Sequence, residues 1–266
     1  MANFTEISLQ YENGAIVQKS ASEILFELLD IQSNDNVLDF GCGTGHLTKD
    51  IRDKTKGKVI GVDPSEGMIK KAKEKYANYG ILFLKSSAEE LDYQNEFNKI
   101  FCNSSFQWFN DHRKALKACH NALKKNGKIA IQAPAKEIYC PNFIEAINAV
   151  KNNGLTKSIF ESFSLPWLFL NTSYEYSALF KEARFKVERS WIDKVVTYHS
   201  AEETYKIFES GAAAGYLNQE YYGVSISKEY IEEFRKVVRK SFDEQAGETG
   251  KIKLIFYRIY LLAIKE

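Results

Sequence analysis

Short apolar runs alternate with longer amphipathic stretches through the first half of the chain. Val37, Leu38 and Phe40 form a run that is too short for a helix and β-branched at its start, which predicts a buried parallel strand. Amphipathic periodicity predicts a helix over 15–29, before this strand, and another over 46–54, after it. The further strands predicted from apolar runs lie over 58–62, 81–84, 99–102 and 128–133.

The first predicted strand leads into a glycine-rich turn. Gly41, Gly43 and Gly45 stand at alternate positions, where they allow positive φ and leave room for a ligand close to the backbone. Asp39 lies two residues before the first of these glycines. The helix that follows would direct its free N–H groups back at the turn. A dinucleotide-binding turn would instead have glycine at position 46, where this chain has His46.

This turn resembles the first motif of class I S-adenosylmethionine (SAM)-dependent methyltransferases. The resemblance implies an α/β, Rossmann-like sheet of seven strands, mostly parallel with the last strand antiparallel, flanked by helices. It also implies SAM as cofactor and S-adenosylhomocysteine as product. The residues that carry it are Val37-Leu38-Asp39-Phe40-Gly41-Cys42-Gly43-Thr44-Gly45, of which Asp39, Gly41, Cys42, Gly43 and Gly45 are expected to form cofactor-binding structure.

Asp63 ends the second predicted strand, 18 residues after Gly45. In a doubly wound sheet this position lies beside the first turn, where a carboxylate can accept two hydrogen bonds from a ribose diol. The alternative is a carboxylate that only caps the next helix. The segment around Asp63 matches the second motif of the family, and the resemblance adds Pro64 and Met68 to the cofactor site.

Two later segments complete the site that the resemblance implies. After the third strand, Ala88 and Glu89 occupy the positions expected to contact the adenine ring, with a capped short helix as the alternative. After the fourth strand, Asn103 and Ser104 are expected near the cofactor. The stretch Asn103-Ser104-Ser105-Phe106-Gln107-Trp108 resembles trans-aconitate and malonyl-carrier-protein methyltransferases, and differs from the Asn-Pro-Pro-Tyr of enzymes that methylate nucleobase or amide nitrogens.

Tyr11 and Gln18, upstream of the first motif, resemble the N-terminal helix of juvenile hormone acid methyltransferases. The resemblance implies that Tyr11 contacts the cofactor and that Gln18 reaches the substrate carboxylate. Gln18 and the Trp108 indole N–H are neutral donors, which can orient a carboxylate without cancelling its charge. The nearest arginine along the chain to this segment is Arg113, one helical turn on.

The predicted reaction is therefore methyl transfer from SAM to a carboxylate oxygen of a small apolar or polycarboxylic acid. Carbon, nitrogen or hydroxyl-oxygen methylation is the alternative among enzymes. An alcohol or amine would need a base, for which His112, Asp111 and Tyr11 are the candidates. A SAM-binding protein without catalytic activity remains a further alternative, because binding and catalysis share the same motifs.

Beyond Pro134 the motifs end, and the fold has to be completed from the remaining pattern. A helix over 172–183 and a hairpin over 185–198 and 251–264 would finish the sheet. Two stretches remain, each with a helical stripe of apolar residues and each following a strand, so both are expected to form a helical lid. We predict a single domain, 1–266, with its core at about 14–135, 172–198 and 249–266 and lid insertions at about 136–171 and 199–248.

Composition narrows the function classes. The formal net charge of the 266 residues is +1, without a basic run, which argues against a nucleic-acid or membrane-surface protein. Four cysteines without C-x-x-C spacing and the lack of a signal-peptide pattern predict a cytoplasmic protein with reduced thiols. The four histidines do not have metal-ligand spacing, so no metal is expected, and the sequence gives no sign of an obligate protein partner.

Overall fold

The computed structural model describes the backbone of residues 15–266 and the side chains from residue 21 onward, as a seven-stranded sheet flanked by helices. The strand order is β3-β2-β1-β4-β5-β7-β6. Strand β7 is antiparallel to both of its neighbours, and the pairs among the first five strands are parallel. This confirms the predicted fold. The strands are β1 Val37–Phe40, β2 Val59–Asp63, β3 Leu82–Lys85, β4 Phe97–Asn103, β5 Leu123–Pro134, β6 Lys186–His199 and β7 Ile252–Ile264.

Helices cover both faces of the sheet and begin where the sequence signals place them. Ser65 caps one helix by accepting a hydrogen bond from the Met68 amide, and Asp111 caps another by accepting from the Lys114 amide. No helix in the described part of the chain is both long and apolar enough to cross a membrane. The α-helices are α1 Ala15–Leu29, α2 His46–Lys54, α3 Glu66–Tyr76, α4 His112–Ala122, α5 Pro141–Asn152, α6 Lys157–Phe160, α7 Ser173–Glu182, α8 Ala201–Glu209, α9 Ala213–Tyr216 and α10 Lys228–Ala246.

Strand β5 starts earlier than predicted. The sequence places a turn at 125–127 and the strand from 128, whereas β5 begins at Leu123, which pairs with Phe97 of β4. Between this pair and the next, Lys99 with Lys128, the register shifts. The polar turn residues thus form an irregularity inside a longer strand, with Asn126 at φ +63°.

The outer hairpin extends past the rest of the sheet. Residues Arg258 to Ile264 of β7 pair with β5 and β6, but Ile252 to Tyr257 pair with β6 alone. That overhanging part packs against the helices of both predicted insertions, in what we call the insertion cluster. The cluster includes Tyr139, Phe143, Phe160, Trp167, Phe208, Tyr216, Phe234, Phe242, Leu254 and Phe256.

The predicted division between core and lid at residue 249 therefore does not match the packing. The first half of β7 lies with the insertion helices, and its second half lies with the sheet core. Whether the insertions move as a lid stays a prediction.

Candidate functional site

The glycine turn after β1 adopts the backbone that its sequence requires. Gly41, Gly43 and Gly45 have φ of +76°, +55° and +84°. The amides of Gly41 and Cys42 both donate to the Val62 carbonyl, which ties the turn to β2. A Cβ on Gly41 would lie 2.3 Å from the Ser105 Cβ, so a side chain there would collide with the segment that follows β4. The turn is a close meeting point of three chain segments.

Asp63 lies at the end of β2, directly beside this turn. Its Oδ2 accepts a hydrogen bond from the Gly43 amide at 3.0 Å, and its Oδ1 accepts from the Ser65 amide at 2.8 Å. Burial raises the pKa of Asp63 to about 6, against the lowering effect of those two amides. Asp63 thus both fixes the turn and caps the start of α3, so the two roles considered from the sequence are not exclusive.

Asp39 lies in β1, two residues before Gly41, and lines neither of the two cavities that are described later in this section. Its side chain is only 2% exposed, and its Oδ2 accepts a hydrogen bond from the Thr48 hydroxyl at 2.6 Å. Burial raises its pKa to about 7; the Thr48 hydrogen bond opposes this and the nearby Asp63 carboxylate adds to it. Asp39 joins the end of β1 to α2, so its expected role at the cofactor would be indirect.

Cys42 and Gly45 belong to the packing on the other side of the turn. The Cys42 side chain is buried against Ile69, Ala72 and Phe83. A Cβ on Gly45 would lie 2.8 Å from the Phe83 ring. Neither residue lines the cavities, so their expected part in cofactor binding reduces to shaping the turn.

The segment after β4 is held by its own side chains. Ser104, at φ +57°, donates from its hydroxyl to the Gln132 side-chain oxygen at 2.8 Å. The Ser105 hydroxyl donates to the Phe40 carbonyl at 2.7 Å, and the Gln107 amide group donates to the Ser104 carbonyl at 3.0 Å. These bonds anchor the segment to β1 and β5. Trp108 then packs edge-on against Trp167, with ring centroids 5.2 Å apart.

Two adjoining cavities open at the carboxyl ends of the parallel strands. The room they leave for the centres of water-sized molecules is about 170 and 70 Å³. Gly41, Asp63, Ser105 and Trp108 line both. The smaller cavity also has Pro64, Ala88 and Glu89 in its wall, and the larger has Gly43, Met68, Asn103, Ser104, Gln107, Tyr139, Phe143, Trp167, Phe169, Phe256 and Arg258, among others.

The Glu89 carboxylate, which was expected to contact the adenine ring, already binds the protein backbone. Its Oε1 accepts hydrogen bonds from the backbone amides of Asn110 and Asp111, at 2.8 and 3.0 Å. The carboxylate thereby fixes the loop before α4. Ala88, buried at the start of a short 3₁₀ helix capped by Ser87, contributes to the wall of the smaller cavity.

The larger cavity contains buried polar atoms that the described part of the protein leaves without a hydrogen-bond partner. They include the Asn103 Oδ1, the Gln107 Oε1 and the Arg258 Nη1. Such atoms are rare in folded proteins because each one costs about 1–3 kcal/mol. Three around one cavity indicate a surface built to receive a polar ligand.

Arg258 corrects the sequence analysis. The only arginine considered there, Arg113, is exposed and paired with Glu182 at 2.9 Å, away from both cavities. Arg258 comes from β7, about 150 residues after the Trp108 segment, and only the fold brings it to the site. The available signal was a lone arginine inside the apolar run 254–264.

Residues 37–127 match a family model described as a methyltransferase domain. The chain is 30% identical over 131 residues to a malonyl-[acyl-carrier protein] O-methyltransferase of Acetivibrio thermocellus, covering 48% of this chain and 46% of that protein. It is 29% identical over 183 residues to a putative methyltransferase of Invertebrate iridescent virus 6, covering 66% and 67% of the two chains. The chain thus spans about half the length of the first of these relatives.

The fold agrees with this match. The crystal structure of the YcgJ protein from Bacillus subtilis superimposes with a TM-score of 0.59 at 18% identity, covering 92% of this chain and 97% of that one. Residues 37–127 therefore carry a methyltransferase domain. The family match ends at residue 127, so the parts of the larger cavity formed by Tyr139, Trp167 and Arg258 lie outside the matched methyltransferase segment.

Two of the three candidate bases, His112 and Asp111, line neither cavity. His112 places its Nε2 2.9 Å from the Phe106 carbonyl, and burial lowers its pKa. Asp111 caps α4. Tyr11 lies outside the described residues, and Gln18 lies in α1 at a position whose side chain is not described. Their expected contacts with cofactor and substrate stay predictions.

Proposed function

We propose that this chain transfers the methyl group of SAM to a carboxylate oxygen of a small acid. The observation that carries the proposal is the junction of the two cavities. The glycine turn, Asp63 and Trp108 line both, so a cofactor held at the turn would face an acceptor in the larger cavity.

The residues present fit SAM. Asp63 would accept hydrogen bonds from a ribose diol, Pro64 and Ala88 would form an apolar wall for the adenine, and Gly41 and Gly43 would leave the backbone open to the ligand. The unpartnered Asn103 Oδ1 in the larger cavity is an acceptor for the ammonium group of the amino-acid part. When bound, SAM supplies a methyl group activated by the sulfonium. The protein has to align the acceptor and keep water out.

A carboxylate acceptor fits the chemistry of the larger cavity. Its described lining has no histidine, lysine or glutamate that could serve as a general base. Of its ionisable groups, Asp63 is bonded to two backbone amides, and burial raises the pKa of Tyr139 well above its usual value. A free carboxylic acid is ionised at neutral pH and needs no base. Trp108, and Gln18 if it reaches the cavity, would orient the acid by neutral hydrogen bonds.

The relatives support the same reaction class. Several proteins that match 47–60% of this chain at 27–32% identity are malonyl-[acyl-carrier protein] O-methyltransferases. By name, these act on an acid. A SAM-consumption assay over small carboxylic acids, a malonyl thioester, catechols, amines and sterols tests the proposal. Turnover with acids alone is expected, whereas turnover only with alcohols or amines would overturn it.

The pH dependence of the chemical step gives a second test. At saturating SAM, the single-turnover rate should be nearly constant from about pH 7.5 to 9, since the acid is already ionised.

Trp108→Phe and Gln18→Ala should each lower catalytic efficiency about tenfold or more, the effect of losing one orienting hydrogen bond. His112→Ala is the control and should change it little. A rate that rises steadily with pH would contradict a carboxylate acceptor.

A further inference from the structure

Arg258 is placed in the larger cavity by the outer hairpin. It opposes Pro134 of β5 and Asp193 of β6 in the sheet register, two residues past Gln132, the last β5 residue that pairs with β4. The residue is 5% exposed, and its Cζ lies 5.5 Å from the centre of the Phe256 ring. A guanidinium is thus fixed in an apolar wall of the cavity.

The charge of Arg258 lacks a close counter-ion among the described residues. Its Nη1 is buried and has no hydrogen-bond partner, and none of the ion pairs within 4.0 Å involves it. The Tyr260 hydroxyl accepts a hydrogen bond from the guanidinium and Asp193 attracts it, but Nη1 is left without a partner. Removing a guanidinium from water is unfavourable unless an anion and hydrogen bonds compensate. An anionic ligand would supply what the protein lacks.

A wall of aromatic rings in the larger cavity runs from Trp108, at the junction, to Phe256, beside Arg258. Trp108 lines both cavities, whereas Arg258 lines the larger one alone. Consecutive rings along the wall are 5.2–6.4 Å apart, in the order Trp108, Trp167, Tyr139, Phe143 and Phe256. The methylated group must lie near the junction, so the guanidinium faces another part of the acceptor.

We propose that Arg258 binds a second anionic group of the acceptor, so that the preferred substrate is a small dicarboxylic acid. One carboxylate would receive the methyl group near Trp108, and the other would pair with Arg258. Arg258 is then a specificity residue. A guanidinium on the methylated carboxylate would instead lower its nucleophilicity. This inference rests on the proposed carboxyl methylation.

Binding to the S-adenosylhomocysteine-loaded protein tests the proposal without requiring turnover. Titration calorimetry would compare dicarboxylic acids of three to six carbons with monocarboxylic acids of the same length. We expect the wild-type protein to bind its best dicarboxylate at least tenfold more tightly than the matched monocarboxylate. Arg258→Gln should abolish that difference and leave the affinities for the monocarboxylate and for S-adenosylhomocysteine unchanged. Arg113→Gln, which removes an exposed arginine outside both cavities, should keep the difference.

Several outcomes would overturn the proposal. If Arg258→Gln loses affinity equally for the dicarboxylic and the monocarboxylic acids, the guanidinium binds the methylated carboxylate instead. An unchanged preference in that variant, or no preference in the wild-type protein, would remove the second-anion site. If Arg258→Gln does not fold, Arg258→Lys replaces it and should retain a reduced preference, because the charge remains but the two-pronged contact is lost. Tenfold selective binding without any methylation of acids would contradict the proposed function while upholding the anion site.

Discussion

At the scale of single residues, Asp63 links the glycine turn to the proposed cofactor site. Each of its oxygens accepts one backbone amide, and a carboxylate oxygen can accept about two hydrogen bonds. One acceptor site on each oxygen is therefore left for a ligand. The same two amides keep the carboxylate in place before any ligand arrives.

Asp63→Ala should weaken S-adenosylhomocysteine binding by about 1.5–3 kcal/mol, the usual cost of losing hydrogen bonds to a charged group. Calorimetry on a variant with an unchanged melting transition measures this. Asp53→Ala, which removes an exposed carboxylate paired with Lys49, is the matched control and should bind normally. Unchanged affinity in the folded Asp63→Ala protein would remove Asp63 from the cofactor site.

Asp39 should make stability depend on pH. Burial raises its folded pKa to about 7, above the ordinary value of 3.8, so the folded state holds the proton more tightly than the unfolded state. Asp39 therefore favours folding below about pH 4, and this contribution is lost as pH rises to about 7. Asp39→Asn should be more stable than the wild-type protein at pH 8, by on the order of 2 kcal/mol, and the gap should narrow towards pH 5.

Urea unfolding at pH 5 and pH 8 measures that gap. Asp53→Asn serves as the exposed control and should show a small gap with little pH dependence. A gap that is the same at pH 5 and pH 8, or an Asp39→Asn protein that is less stable than the wild-type protein at both, would mean that the buried carboxylate is ionised in the folded protein over this whole range.

At the scale of elements, the turn after β1 and the segment after β4 are built against each other. Gly41→Ala would have to keep φ near +76° and would bring its Cβ against the Ser105 Cβ. Positive φ alone costs an alanine about 1–2 kcal/mol, so the total loss of unfolding free energy should be about 2 kcal/mol or more.

A double-mutant cycle separates strain from collision. Ser105→Gly removes the colliding atom. The double variant, Gly41→Ala with Ser105→Gly, should therefore lose less unfolding free energy than the sum of the losses in the two single variants. Urea unfolding of the four proteins measures the coupling. Strict additivity would show that the two segments relax apart without cost.

These elements also show what local sequence can predict. The bounds of β1 and α2 follow from neighbouring residues, so the pattern predicts them closely. Asp63 could be placed because parallel strands end at one edge of the sheet. Arg258 and the overhang of β7 depend on how distant segments pack, which no local pattern encodes. The free carboxylate expected at Glu89 is likewise used by two amides of the next loop.

At the scale of the whole molecule, the larger cavity lies between two packed bodies. The sheet core supplies the glycine turn and Asn103, and the insertion cluster supplies Tyr139, Trp167 and Phe256. The family match covers the first body and ends before the second. In the proposed function, cofactor chemistry and acceptor choice would therefore fall to different parts of the chain.

This division predicts where ligands will slow hydrogen exchange. Water has to be excluded before methyl transfer, so closing of the insertions over the ligands is expected. Adding S-adenosylhomocysteine and then an acceptor acid should slow exchange in 136–171 and 199–248 and in the first 18 residues. Peptides from β4 should change little, because its buried strand is already paired on both sides. Exchange in the insertions that is the same with and without both ligands would show that they form a fixed wall, and the acceptor would then have to enter through the existing opening.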